Sequence, residues 1–395
     1  MKLIQQIAAL IAFNLRTLPA RLGSAAAAVF GIAGVVAVLV GILSISEGFS
    51  KVMTVAGSPD TAMVLRGGAD SEMTSVLVAE DVNAIATAPG IAQAGGQPLV
   101  SAELFVVVDV PKRTTNTAAN VPMRGVRKEA FLLRPEVKIV EGRAFAWGTN
   151  EVIVGRGAQR SFAGTEVGKQ LKLGSLVWNV VGIFEANGAI SESEIWADAN
   201  VLAPAYRRGN TFQVAMVKLA SPGSFQRFKD VLTTDPRVNV RVMREMEYFA
   251  AQTDQLRQLI TFFAVAICSL MGLGAILGAL NTMYTAVAAR SREIATLEAI
   301  GFGGTAVLFS VVAESLILAF IGGAFGSLGA YAAFDGYRAA TMNFATFSQV
   351  AFAFDVTPRL MIWAAVYAAL IGLVGGFFPA LRAARTPVSM ALRDR

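Results

Sequence analysis

Four stretches of this chain lack the alternation of polar and apolar positions that a water-facing surface requires. Ala25–Ile45, Leu259–Ala289, Ala306–Phe334 and Leu360–Leu381 are predominantly apolar and carry no charged residue apart from Glu314 in the third. Each is at least as long as the roughly 20 residues of helix that cross about 30 Å of hydrocarbon. The pattern predicts transmembrane helices over 22–46, 258–289, 305–334 and 360–381. Ahead of the first, Ile4, Ile7, Leu10, Ile11, Leu15 and Leu18 recur at helical spacing, so residues 1–21 read as a cytoplasmic amphipathic helix lying along the inner leaflet until Pro19 breaks it. The first apolar run exceeds the 7–15 residues of a cleavable signal segment and reads as a retained span.

Residues 47–257, between the first and second spans, return to ordinary polarity with regular Gly and Pro punctuation. Leu104–Val110, Glu151–Val154, Leu176–Phe184 and Phe212–Leu219 are rich in Val, Ile, Phe and Trp and bounded by turn residues, which predicts strands. Val78–Ala88 and Ser224–Thr233 read as helices. Met246, Phe249, Thr253, Leu256, Ile260 and Phe263 keep helical spacing into the second span, so that helix is expected to project outward as a stalk. Thr114–Asn120 reads as an exposed loop and 335–359 as a short loop outside the membrane. The fold class is a membrane protein of four transmembrane helices, with a large α+β extracytoplasmic domain inserted between the first and second.

Composition agrees: 54% of residues are hydrophobic and only 16% charged, which excludes an ordinary soluble domain. Charge then sets the topology. Lys2, Arg16 and Arg21, Arg290 and Arg292, and Arg382, Arg385, Arg393 and Arg395 mark the two termini and the 290–304 loop as cytoplasmic, with 382–395 a cytoplasmic tail. The net charge of +6 is thereby a topology signal and not a sign of nucleic-acid binding. Histidine is absent and Cys268 stands alone, which removes His-based catalysis, disulfide frameworks and Cys/His metal sites. No catalytic or metal site is expected. The segment GTEVGKQ (Gly164–Gln170) is one residue short of a phosphate loop and lacks its Ser or Thr, so no nucleotide site is read there.

The candidate functional segment is RSREIATLEAIG, Arg290–Gly301, held between two spans. Ile294, Leu297 and Gly301 fall at i, i+3 and i+7 on one small apolar face, while Arg290, Arg292, Glu293 and Glu298 offer rim charges for a partner protein. The plainer alternative is a solvated turn held by its own ion pairs. Glu314 is costly inside a membrane, and Asn281 and Thr282 are its expected partners. Gly274 and Gly278, Gly322 and Gly326, and Gly372 and Gly376 form GxxxG pairs that mark close helix packing.

Arg290–Gly301 followed by Ala313–Ser315, and the closing stretch Gly372–Leu392 with Pro379 and Pro387, resemble the permeases of MacB- and FtsX-type ABC transporters, without a fused ATPase domain. Met123–Val126 (MRGV), Glu141–Phe145 (EGRAF), Asn150–Gly155 (NEVIVG) and Val177–Gly182 (VWNVVG) are similar to the periplasmic core domain of MacB-like permeases. The resemblance implies a noncatalytic subunit of the bacterial inner membrane. It implies a permease homodimer on a separate cytoplasmic ABC ATPase that binds ATP and magnesium, with 290–304 as the coupling helix. Motion would pass to the periplasmic domain and export a hydrophobic or amphipathic cargo through a periplasmic adaptor and an outer-membrane channel. Lipoprotein release and FtsX-like regulation of cell-wall hydrolases are the alternatives within the same plan.

Overall fold

Two helices open the chain, α1 (Leu3–Thr17) and α2 (Leu22–Val55). Then come β1 (Thr61–Arg66), β2 (Leu77–Val78), α3 (Ala79–Ala86), β3 (Gln93–Ala94), β4 (Gln97–Pro98), β5 (Val100–Pro111), β6 (Ala118–Val126), α4 (Ala130–Leu133), β7 (Lys138–Gly142) and β8 (Glu151–Gly155). After these follow α5 (Arg156–Ser161), β9 (Gln170–Leu173), β10 (Leu176–Glu185), β11 (Ile195–Asp198), α6 (Ala199–Ala205), β12 (Thr211–Phe212), β13 (Val214–Lys218), α7 (Phe225–Thr234) and β14 (Val240–Arg244). The chain continues with α8 (Glu245–Ala289), α9 (Ser291–Ala299), α10 (Gly304–Phe334), the hairpin β15 (Arg338–Asn343) and β16 (Ser348–Ala353), and α11 (Pro358–Arg385). This computed structural model describes residues 3–17, 22–55 and 57–385; residues 18–21 and 386–395, with the expected Pro19 break and most of the expected tail, lie outside them.

The chain divides into a helical unit (Met1–Glu47, Arg257–Tyr337, Phe354–Arg395) and a sheet unit (Gly48–Leu256, Arg338–Ala353). Helices α2, α8, α10 and α11 are each long and apolar enough to cross a membrane. At 45 residues, α8 is about 68 Å long, more than twice the hydrocarbon thickness. Its first three turns, through Leu256, belong to the sheet unit, and Phe249, Thr253 and Leu256 are buried there. The stalk expected from helical spacing is therefore one unbroken helix.

Inside the helical unit, glycine sets how closely backbones approach. A side chain at Gly322 or Gly326 would strike the Val29 or Ala33 carbonyl of α2, so α10 lies directly against α2. Gly372 and Gly376 of α11 meet Ala319 and Ser315 of α10, where the Ser315 hydroxyl donates to the Gly372 carbonyl at 2.7 Å. Gly274 and Gly278 differ: nothing lies within 4 Å of either position, and the surrounding Leu270, Leu273 and Leu277 are exposed.

The sheet unit is built on strands in the order β14-β1-β13-β5-β6-β11-β8-β10-β7, with β9 added to β10. Within it β6 and β11 are parallel, as are β8 and β10. Val152 and Val154 of β8, with Ile195 and Ala197 of β11, enter one core; Ile153 and Trp196 between them enter a second. Both faces are thus buried, which is why these strands read as continuous apolar runs. A register shift in β10 between Val180 and Gly182 changes the parity, so Val180 and Ile183 share a core. Gly155 ends β8 where the Glu192 carbonyl occupies the space any side chain would need.

Beside Trp196 lies a charge cluster that sequence reading did not anticipate. Arg124, buried on β6, donates from Nε and Nη2 to Glu194 (both 2.8 Å) and from Nη1 to Glu72 (2.6 Å) and Glu103 (3.1 Å). Arg134, on the residue after α4, forks onto Glu103 at 2.7 and 2.9 Å, and Trp196 Nε1 donates to Glu194 at 2.6 Å. The Glu72 backbone N–H donates to the Tyr248 hydroxyl of α8 at 3.1 Å. Glu245, first residue of α8, is buried against the same group, so carboxylates outnumber the two arginines. Burial pushes Glu72 up despite Arg124, whereas the flanking arginines, Arg134 foremost, outweigh burial and hold Glu103 down.

The segment expected as a plain loop after the third span contains β15 and β16, paired from Arg338↔Ala353 to Asn343↔Ser348. Its turn places Phe347 at φ +51°, and Ser348, Val350 and Phe352 alternate onto a buried face.

Candidate functional site: the coupling segment

The RSREIATLEAIG segment folds as α9, with Arg290 as its N-cap residue. Its C-terminus is closed by a Schellman turn: the Gly301 N–H donates to the Glu298 carbonyl at 3.0 Å and the Phe302 N–H to the Leu297 carbonyl at 3.1 Å. Gly301 sits at φ +104°, a backbone conformation open to glycine and strained for other residues, which is the physical reason for a glycine there. It is therefore a helix stop and not, as the spacing suggested, a member of the apolar face.

Arg290 is 7% exposed and Glu314, on α10, is 3% exposed. The Arg290 guanidinium donates from Nη2 to Glu314 Oε2 at 2.6 Å and from Nη1 to Asn14 Oδ1 of α1 at 2.7 Å. Asn14 Nδ2 in turn donates to the Ser310 hydroxyl of α10 at 2.7 Å. Three helices that carry no common motif are joined by this chain of bonds, two of them charge-assisted, and the cost of an acid inside the apolar α10 is offset by the cation at the N-cap of α9.

Two sequence expectations are corrected here. Arg290 is not a rim charge, because it is drawn inward by Glu314. Asn281 is exposed, accepts only the local Thr285 hydroxyl at its carbonyl, and is not the partner of Glu314. The pairing was invisible locally because α1, α9 and α10 meet only in the folded unit. One signal existed: Asn14 lies four residues after Leu10 and seven after Ile7, a lone amide on an otherwise apolar stripe.

The apolar face of α9 is also occupied. Ile294 and Leu297, with Phe302, pack against a core that includes Leu10, Met283, Val287, Val307, Val311 and Ala380. Helix α1 reaches the turn as well, where Gln6 Nε2 donates to the Gly301 carbonyl at 3.2 Å. So α1 packs on α9 and α10 through Leu10 and Asn14. What α9 presents outward is Arg292, Glu293, Thr296 and Ile300, the last 72% exposed. Glu298 is half-buried beside Gly304, and burial raises its carboxyl above the ordinary range.

Among the described residues no group of three or more acidic or Cys side chains could hold a metal ion. Gly164–Gln170 forms the turn before β9, with the Lys169 N–H donating to the Glu166 carbonyl at 3.0 Å, and Arg113 paired to Glu166 at 2.7 Å.

Comparison with known proteins agrees with this architecture. Residues 25–235 match the model of the MacB-like periplasmic core domain, and residues 263–388 that of the FtsX-like permease C-terminal region. The macrolide export ATP-binding/permease protein MacB of Pasteurella multocida is 27% identical over 73% of this chain and 45% of its own length. Its counterpart in Acinetobacter baylyi is 25% identical over 93% of this chain and 56% of its own. The chain thus spans about half the length of the curated relatives it matches. Among solved structures, the periplasmic region of MacB from Actinobacillus actinomycetemcomitans aligns at 14% identity and TM-score 0.37, covering 52% of this chain and 94% of that one. The extracellular domain of the ABC-type transporter YknZ aligns at 16% identity and TM-score 0.35, covering 47% and 100%. With four membrane-length helices, an inserted α/β unit and two family models that together account for most of its residues, the chain belongs to the MacB-like, FtsX-type permeases of ABC transporters, multi-pass proteins of the cytoplasmic membrane.

Proposed function

We propose that this chain is the permease subunit of an ATP-driven machine in which a separate ABC ATPase, binding ATP and magnesium, docks on the outward face of α9. The observation that carries this reading is the clasp of Arg290 with Glu314 and Asn14: a push on α9 is borne by α10 and α1 rather than absorbed by a loose turn. The docking face is Arg292, Glu293, Thr296 and Ile300, an apolar knob rimmed by opposite charges. Arginine at both ends of the helical segments supports cytoplasmic termini and a cytoplasmic α9. The open stripe around Gly274 and Gly278 supports a second copy of the chain as neighbour in the membrane.

By likeness to relatives named as macrolide exporters, the cargo is a hydrophobic or amphipathic molecule, handed to a periplasmic adaptor and an outer-membrane channel. Co-purification of the tagged chain from native membranes tests this. An ATPase with an adaptor supports export; an ATPase with lipoproteins or with a wall hydrolase redirects the function to lipoprotein release or hydrolase control. Recovery of no ATPase overturns the proposal. Ile300→Asp is expected to abolish ATPase recovery while leaving the chain's thermal unfolding unchanged.

A further inference from the structure

Four covalent crossings join the two units: α2 at 47/48, α8 at 256/257, and the two strands of the β15–β16 hairpin at 337/338 and 353/354. The first two continue membrane helices, and α8 is the expected stalk. The hairpin is the additional one, and its two ends are fixed differently.

At its root, the helical unit holds the chain on both sides. The Gly336 N–H donates to the Phe354 carbonyl and the Phe354 N–H to the Tyr337 carbonyl, at 3.0 and 2.9 Å. The Asp355 N–H donates to the Ser44 carbonyl of α2 at 3.2 Å, and Asp335 Oδ1 accepts from the Val356 N–H at 3.1 Å. Phe354 packs against Phe334 and Tyr337, with ring centroids at 6.3 and 5.6 Å.

Beyond the root, the sheet unit grips the hairpin along its length. Asn343 Nδ2 donates to Gln252 Oε1 of α8 at 2.8 Å, a buried bond, while the Ala351 N–H donates to the Ser193 hydroxyl at 3.0 Å. Asn120 Nδ2 donates to the Phe347 carbonyl at 2.7 Å, so the last residue of the TTNTAAN stretch contacts this hairpin. Phe352 meets Phe49 of α2 edge to face at 5.9 Å, and β16 runs against β6. Val350 is fully buried, and Asn343, Thr346 and Ser348 are nearly so.

A connection needed only to return the chain to the membrane would be short, polar and solvated. This one buries its alternate residues and makes polar bonds to three separate elements of the sheet unit, α8, the Ser193 turn and β6, with an aromatic contact to a fourth, α2. We infer that the β15–β16 hairpin is a third mechanical strut, through which movement of α10 and α11 is delivered to the sheet unit in addition to what passes along α2 and α8. Its delivery points are β6, the Ser193 turn and the Gln252 turn of α8. The inference rests on the proposed function for the source of the movement, but the docked strut itself can be read in the chain alone.

Two measurements separate these. Amide exchange on the purified full chain should find residues 348–353 at least ~100-fold slower than the exposed 114–117 turn; equal rates overturn the strut whether or not an ATPase is recovered. In the complex with the co-purified ATPase, a Gly-Ser insertion at both 337/338 and 353/354 introduces slack without touching any contact described above. The nucleotide-dependent change in exchange across β6 and β11 is expected to fall at least about fivefold, with ATPase recovery and thermal unfolding as in the wild type. The same insertion in the 114–117 turn should leave that response intact. An undiminished response in the slack variant overturns the strut and leaves the proposed function standing.

Discussion

Arg290 and Glu314, 24 residues apart, form a buried ion pair at 2.6 Å that fastens helix α9 to the membrane helix α10. Because both groups are almost fully enclosed, neither can be solvated if the other is removed. Arg290→Ala or Glu314→Ala should each destabilise the helical unit by about 3–5 kcal/mol, and the double variant by much less than the sum. Thermal unfolding in detergent over this double-mutant cycle checks it; additive effects would mean the pair is uncoupled. Asn14→Leu should loosen α1 alone, raising amide exchange over Leu3–Asn14 while α10 stays protected.

Arg124 cannot be exchanged for lysine. Three of its nitrogens reach three carboxylates in fixed directions, and an ammonium on a flexible stem reproduces one of those contacts at a time. Arg124→Lys is expected to lower the unfolding temperature of the sheet unit sharply, and Arg124→Leu to prevent its folding, by stranding Glu72 and Glu194. A sheet unit of wild-type stability in Arg124→Lys would contradict this.

Stability of the sheet unit should fall between about pH 5 and 8. Burial pushes the Glu245 carboxyl up from 4.5 to about 7, with Arg134 pulling it down and Glu136 and Glu103 pushing it further up. The folded state therefore binds a proton that the unfolded chain releases. The stability this contributes, up to about 3 kcal/mol, is complete below about pH 4.5 and lost as pH rises through 7. Glu72, raised in the same direction, adds to the trend, while Glu103, held low by Arg134 against its burial, contributes stability lost only on stronger acidification. Glu245→Gln keeps the shape without the titration. Its unfolding temperature should change less between pH 5 and 8 than that of the wild type.

The three glycine pairs should respond differently to bulk. Gly326→Leu drives a side chain into the Ala33 carbonyl and Val36 of α2, and should unfold or separate the helical unit. Gly274→Leu meets nothing within 4 Å in the chain and should leave monomer stability unchanged. If a second copy packs on that face, Gly274→Leu shifts cross-linked membranes from dimer to monomer. An unchanged dimer would move the interface elsewhere.

Features that depend on neighbours within a few turns were legible in the sequence alone. Hydrocarbon thickness is met or missed by one continuous run, so the four spans and the unbroken α8 were legible from composition. Strands β5, β8 and β10 were legible because they are rich in Val, Ile, Phe and Trp between turn residues, and Phe212–Leu219 broke into β12 and β13 only at Gln213, whose side-chain oxygen accepts from the Phe105 N–H at 3.0 Å. The family motifs and the existence of α9 belong to the same local class.

Which way a side chain turns was decided by the tertiary structure. Arg290, Ile294 and Leu297 read as a partner-facing surface until α1 and α10 come to cover them, and Asn14 has no meaning until Arg290 arrives from 276 residues away. The Glu72, Glu103, Arg124, Arg134 and Glu194 cluster joins positions scattered over more than a hundred residues, each an ordinary charge in its own segment. The hairpin 338–353 reads as a loop because its strands are short and half-polar. Its polar residues are buried only because Gln252, Ser193 and Asn120 meet them, and ion pairs and hydrogen bonds between distant segments leave no periodicity in either one.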